Sequence, residues 1–265
     1  MSACRPVAGL AEIAGDHDLL LCDVFGTLHD AERTFPAALD ALARFRGGGG
    51  TVVLVSNAAE PGPRLSATLA ARGIAGVFDG LVSAADVARA IIRERDPDAI
   101  LHIGPDRDRG LFDELPPMLD APDADLVVCT GYPEDDAGLD AVLDRARRRG
   151  ALMLCTNPDT SLRVGDRELR FAGLVAGRYR ALGGAVVETG KPGPRIYAAA
   201  VSAAGLATGR AFDPARILGL GDTPALDAGG ALAAGFSAAL LAPARADPPA
   251  GPGAGRRYRL PALAW

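Results

Sequence analysis

"LLLCDVFGTLHD", residues 19–30, is the stretch whose reading decides the fold. An apolar run ends in Asp23, and Gly26-Thr27 then breaks the chain into a loop. An unalternating run of this kind reads as a strand buried on both faces, as inside a parallel sheet. The pattern recurs in "TVVLVSN" (51–57), "ILHIG" (100–104), "DLVVCT" (125–130) and "ALMLCTN" (151–157). It returns in "AVVET" (185–189), "RILGLGD" (216–222) and "SAALLA" (237–242). Between these lie segments with helical periodicity, such as "AADVARAIIRER" (84–95) and "LDAVLDRARRRG" (139–150). Several close on a glycine, the usual helix stop. Strand–helix alternation predicts an α/β fold with a parallel sheet.

Three segments depart from the alternation. "SLRVGDRELRFA" (161–172) reads as a hairpin turning at Gly165-Asp166. The Pro/Gly/Ala-rich stretch 242–255 reads as an irregular loop, and "YRLPALAW" (258–265) as an apolar segment that docks back on the body. "RARRRG" (145–150) closes a helical pattern, where its cations complement the helix dipole. No internal repeat is visible.

The totals narrow the partners. A chain of 265 residues with 49% hydrophobic and 23% charged residues is expected to be globular with a sizeable core. A net charge of −5 argues against nucleic acid, which is held by concentrated Lys and Arg. Nothing reads as a signal segment or membrane span. The four cysteines are scattered without a C-x-x-C pair, and three sit in apolar runs, which fits reduced buried thiols in a cytoplasm.

In open parallel sheets, ligands bind beyond the carboxyl ends of the strands. Those ends deliver Asp23, Ser56, Asp222 with Asp227 close behind, and Lys191 in "ETGKPGP". Carboxylates with few histidines suit a hard cation such as Mg²⁺. A metal, a lysine and a hydroxyl together match the charge on a phosphoryl group, and a remaining carboxylate is able to attack phosphorus.

"DVFGT", "VSN", "GKP" and "GDTPALD", in this order, resemble the four motifs of the haloacid dehalogenase (HAD) superfamily. The long segment between the second and third resembles the class IIA, NagD-type cap, with "TNPD" (156–159) and "ALGGAVVETGKPGPRIY" (181–197) similar to that subclass in particular. The resemblance covers nearly the whole chain. It implies a Rossmann-like core, residues 1–82 and 187–265, with an inserted α/β cap at 83–186. It implies a Mg²⁺-dependent phosphatase of a small phosphorylated metabolite. Asp23 is then nucleophile and metal ligand, with the backbone carbonyl of Phe25 and the carboxylate of Asp222 as further ligands. Asp227 holds metal-bound water or Lys191. Ser56 and Lys191 grip the phosphoryl oxygens, helped by the amide of Asn57.

One position departs from the family. Its phosphatases carry a second aspartate where this chain has Phe25, and that aspartate protonates the leaving group. His29, in the same loop, is the candidate substitute acid, weighed against a plain surface histidine. Asn157 and Asp159 read equally as an Asx-Pro turn and as substrate contacts from the cap. Two further functions stay open: a dehalogenase-like hydrolase without metal, and a catalytically weak binding or regulatory protein on a phosphatase scaffold. The identity of the metabolite is not legible, nor is the oligomeric state, for which a homodimer is one option.

Overall fold

The computed structural model describes residues 4–115, 123–164, 167–241 and 255–265. In chain order its strands begin with β1 (Arg5–Pro6), β2 (Leu19–Cys22), β3 (Thr51–Ser56) and β4 (Gly80–Ser83). Next come β5 (Ile100–Ile103), β6 (Leu126–Cys129), β7 (Leu152–Cys155), β8 (Ser161–Val164), β9 (Arg167–Arg170) and β10 (Ala185–Glu188). The last are β11 (Ile217–Gly221), β12 (Ser237–Leu241) and β13 (Arg257–Leu260). Contacts divide the chain into two compact units. One is Met1–Ser56, Pro63–Val82 and Pro194–Trp265; the other is Asn57–Gly62 and Ser83–Gly193. This is the α/β architecture with parallel sheets that the alternation predicts.

The first unit is built on a sheet ordered β1-β13-β12-β11-β2-β3-β4. Every pairing from β1 across to β3 is parallel. β2, β3, β11 and β12 are buried along their whole lengths, which is why they read as apolar runs without polar alternation. The helix Pro36–Gly47 buries Ala38, Ala41, Leu42 and Phe45, and begins on a proline, where no intrahelical N–H is lost. The helix Pro194–Thr208 buries Ile196, Tyr197, Ala200 and Ala204. From β2 the chain moves outward to β3 and β4 on one side; β11, β12 and β13 lie on the other. The strand order therefore reverses at β2, and such a reversal opens a crevice at the carboxyl ends. The apolar C-terminal stretch docks as anticipated: β13 pairs with β12 and β1, and Tyr258, Leu260 and Leu263 are buried. β4, short and at the sheet edge, has no apolar run to announce it.

The second unit carries its own parallel sheet, ordered β10-β7-β6-β5. β10 pairs along its full length with β7, from Ala185–Leu152 to Glu188–Cys155. β10 therefore belongs to the sheet of this unit, which by its contacts runs to Gly193. Leu143, Met153, Val175 and Tyr179 are fully buried in its core, and the Tyr179 hydroxyl donates to the Ala151 carbonyl at 2.7 Å. The helix Leu139–Arg148 ends on Arg145, Arg147 and Arg148, the dipole complement read from the sequence. β8 and β9 form the expected antiparallel hairpin, and its turn at Gly165-Asp166 lies outside the described residues. Cys22, Cys129 and Cys155 are buried, and none of the four cysteines is in a disulfide. Burial pushes the Cys155 thiol up to about 12 and the Cys129 thiol well above its ordinary value, so neither supplies a thiolate. Among the described residues no helix is long and apolar enough to cross a membrane.

Candidate active site

Asp23 follows β2, the strand at the reversal, and its backbone N–H extends the ladder by donating to the Leu220 carbonyl at 2.8 Å. Asp222 follows β11, the neighbour of β2 in the sheet. Asp227 arrives from the wide helical turn Pro224–Ala228, whose fold turns its carboxylate back toward the strand end. There Asp227 Oδ2 accepts the Thr223 N–H at 2.9 Å, and its own N–H donates to the Thr223 carbonyl at 2.9 Å. The Tyr197 hydroxyl fixes the turn, sharing its one proton between the carbonyls of Leu226 (2.8 Å) and Asp227 (3.1 Å). One carboxylate oxygen from each of Asp23, Asp222 and Asp227 lies within 4.8 Å of the others. Asp23 and Asp227 are buried and Asp222 is half-buried.

Two glycines make room for this cluster. Gly26 has φ +85°, and a Cβ there would collide with the Asp222 carboxylate. A Cβ at Gly221 would collide with the Asp227 carboxylate. The glycines of "DVFGT" and "GLGDT" are therefore steric conditions for bringing acids so close.

Phe25 lies in the loop after β2 with half of its surface exposed (50%). Its ring meets that of His29 edge-on, with centroids 5.6 Å apart. The backbone of Gly26 ties the same loop by donating to the His29 carbonyl at 2.8 Å. His29 is not the surface histidine weighed against a catalytic one, since it is only 9% exposed. Its Nδ1 lies 2.9 Å from the Asp30 carbonyl, an acceptor only, so Nδ1 carries the proton and the neutral ring leaves Nε2 without one.

Ser56, the last residue of β3, is buried at its strand end. Asn57 and Lys191 are joined within the second unit by a two-point amide contact. The Lys191 N–H donates to Asn57 Oδ1 at 2.6 Å, and Asn57 Nδ2 donates to the Lys191 carbonyl at 3.0 Å. Residues 134 apart in sequence are thus locked together, and the buried Lys191 is held at the loop that follows β3.

The second unit also holds a cavity of about 270 Å³. Asp108, Thr130 and Asn157 line it just past the ends of β5, β6 and β7, with Ala58, Tyr132 and Phe171 among its apolar walls. Asn157 therefore faces a cavity and also forms an Asx turn, its Oδ1 accepting the Asp159 N–H at 3.0 Å. Asp159 is not among the lining residues. Asp108, Thr130 and Tyr132 went unread in the sequence. The strand-end rule that found Asp23 applies equally to "ILHIG" and "DLVVCT", and would have found Thr130.

The model of the haloacid dehalogenase-like hydrolases matches residues 17–235. A hydrolase of the haloacid dehalogenase-like family from Brucella suis 1330 is 32% identical, with 97% of this chain and 99% of that one covered, at a TM-score of 0.85. A glycerol phosphate phosphatase from Mycobacterium tuberculosis, solved in complex with calcium, is 25% identical, with 87% of this chain and 67% of that one covered, at 0.67. A putative NagD protein shares the fold at 18% identity, with 93% of this chain and 96% of that one covered, at 0.73. No curated protein matches the chain. A family model spanning most of the sequence, and a same-family relative aligned over nearly its full length, place this chain among the haloacid dehalogenase-like hydrolases.

Proposed function

We propose that the protein is a phosphatase of small organic phosphates that works through an aspartyl-phosphate on Asp23 and uses Mg²⁺. The observation that carries this reading is the convergence of three carboxylates within 4.8 Å, with Asp23 at the tip of the strand where the sheet order reverses. Close like charges repel, and a divalent cation relieves that repulsion. An all-oxygen donor set suits a hard cation such as Mg²⁺. Asp23, Asp222 and the Phe25 carbonyl would be its ligands, and Asp227 would orient bound water or Lys191. When bound, the cation would neutralise charge on the phosphoryl oxygens and on the attacking carboxylate. Relatives named as phosphatases support the reaction class.

The chemistry assigned to this chain is a two-step transfer. An Asp23 carboxylate oxygen attacks phosphorus, the bond from phosphorus to the leaving oxygen breaks, and that oxygen departs with the electron pair. Water then cleaves the acyl phosphate, releasing inorganic phosphate and restoring Asp23. Ser56, the Lys191 ammonium and the Asn57 amide hold the phosphoryl oxygens. The inserted second unit acts as the cap that selects the substrate, and buried cysteines outside any disulfide support a reducing, cytoplasmic setting. The acidic cluster favours this reading over a metal-free dehalogenase, for which three converging carboxylates would only add repulsion. Phe25 is the observation that favours a weak or purely binding protein, since it can transfer no proton.

The test is release of p-nitrophenol from p-nitrophenyl phosphate with and without magnesium. Asp23→Asn is expected to reduce turnover to background while the melting temperature stays close to the parent's. Activity that survives the substitution overturns the mechanism.

A further inference from the structure

Asp227 is held in the acidic cluster by a residue to which the reaction just described gives no part. Its carboxylate rises from the wide helical turn Pro224–Ala228. Wide turns of this kind are rare overall and concentrated at functional sites. A single turn has few hydrogen bonds of its own, so its shape depends on partners outside it. The Gly229 N–H closes the turn by donating to the carbonyls of Leu226 and Pro224. The Tyr197 hydroxyl, from the helix Pro194–Thr208, shares its proton between the carbonyls of Leu226 and Asp227.

Tyr197 is itself fixed by packing. It is buried, and its ring meets that of Phe236 edge-on with centroids 6.4 Å apart. Gly230 makes the slot for it, since a Cβ there would collide with the hydroxyl and the ring carbons beside it. The hydroxyl is therefore delivered to the turn from a residue 30 positions away from Asp227 in sequence. At the other side of Asp227 stands Thr223. The Asp227 N–H donates to the Thr223 carbonyl and its Oδ2 accepts the Thr223 N–H, both at 2.9 Å. The backbone of Asp227 is thus pinned at its N–H by Thr223 and at its carbonyl by Tyr197. With both ends of the residue held, the carboxylate is aimed at the strand end, where one of its oxygens lies within 4.8 Å of those of Asp23 and Asp222.

We propose that Tyr197 is a positioning residue for the divalent cation, setting its affinity by holding Asp227 at the spacing from Asp23 and Asp222 that one ion requires. The proposal rests on the reading that the cluster takes Mg²⁺. Three carboxylates this close repel one another, so a loosened Asp227 swings away and the donor set opens. Removing a group that holds a metal ligand from behind costs about 10–100-fold in affinity.

The experiment titrates the melting temperature of the full chain with magnesium chloride, and adds amide hydrogen exchange measured without metal. Tyr197→Phe removes the hydroxyl and keeps the ring. Gly230→Ala keeps the hydroxyl and pushes it from the turn with a Cβ. Both are expected to raise the magnesium concentration at half the thermal shift about tenfold. Both are also expected to speed exchange of the Thr223 and Asp227 amides, which a loosened turn opens to solvent. Tyr179→Phe is the control for a merely structural hydroxyl, because it loses a buried bond of the same kind to the Ala151 carbonyl. It is expected to lower the melting temperature with the magnesium midpoint unchanged. A parent-like midpoint in Tyr197→Phe overturns the proposal, whatever its melting temperature; should that variant fail to fold, Gly230→Ala decides in the same way. A parent with no magnesium response removes the metal reading instead. Faster exchange at Thr223 and Asp227 in the variants then still upholds Tyr197 as the residue that positions Asp227, and unchanged exchange overturns that too.

Discussion

Two sheet edges in this molecule end parallel strands in polar residues, and they differ in kind. In the first unit β2 and β11 end in carboxylates, and Asp227 closes behind them, all within 4.8 Å. In the second unit β5, β6 and β7 lead to Asp108, Thr130 and Asn157, one carboxylate set among neutral groups, apolar walls and the cations Arg107 and Arg170. The first edge concentrates negative charge at a cost in repulsion, which a cation or a reacting phosphoryl group with its counterion would offset. The second is ordered by hydrogen bonds through His102 and Thr130 and carries no such surplus. The two edges thus differ in charge, although both close a set of parallel strands.

The sharpest way to break this division is to ask whether chemistry is limited by residue 25. Positioned acid–base catalysis contributes about 10²–10⁴-fold, and a proton is needed only when the leaving oxygen is strongly basic. Alkyl phosphates are therefore expected to be hydrolysed more slowly than aryl or acyl phosphates by a margin of that order. Phe25→Asp is expected to narrow the gap, because the residue is half exposed and its loop has room for a smaller side chain. His29 is the alternative acid. Its Nδ1–H is committed to the Asp30 carbonyl, so only the imidazolium form offers a proton from Nε2. If His29→Ala selectively lowers alkyl phosphate turnover, His29 replaces the missing aspartate. Brisk alkyl hydrolysis indifferent to His29 would mean that residue 25 does not limit the reaction.

What the sequence disclosed follows the same division. Unalternating apolar runs located β2, β3, β11 and β12 because those strands are buried on both faces. Asp23 and Asp222 stood out because each ends such a run, Asp222 directly after Gly221 and Asp23 three residues before Gly26, and Gly26 must be a glycine for Asp222 to fit. The edge in the second unit left fainter marks. Asp108 lies several residues past β5 and Asn157 sits in an ordinary turn, so neither position demands an unusual residue or spacing. β4 was invisible because an edge strand of four residues, half of them only partly buried, needs no apolar run. The pairing of β10 with β7 was not legible either, because it is a long-range fact that no local pattern encodes.

A second measurement sharpens the charge side of the comparison. If Asp222 helps hold the cation, magnesium stabilises the parent by mass action, about 2.7 kcal/mol at a hundredfold excess over Kd. Asp222→Ala is expected to remove most of that magnesium-dependent rise in melting temperature. Without magnesium the substitution is expected to be neutral or slightly stabilising, because it takes one charge from a crowded cluster. An unchanged magnesium response would place any cation elsewhere.

The smallest effect belongs to the second unit, where structure can be weakened without touching the carboxylates. Ser83 caps the helix Ala84–Arg95. Its side chain accepts the Asp86 N–H, and Asp86 Oδ2 reaches back to the Ser83 N–H at 2.9 Å, forming a reciprocal capping box. Asp86 Oδ1 also accepts the Gly62 N–H at 3.0 Å, which ties down the loop Asn57–Gly62. Loss of an N-cap side chain costs about 1 kcal/mol. Ser83→Ala is therefore expected to lower stability by about that much in urea unfolding, with the magnesium response retained. Asp86→Ala is expected to cost more, since it releases Gly62 as well as the helix terminus and loosens the loop that carries Asn57. Its excess over Ser83→Ala should appear partly as a raised KM, because Asn57 both lines the cavity and clamps Lys191. If the two substitutions prove equal in stability and in KM, the loop is held by something other than Asp86, and Asn57 is anchored independently of this cap.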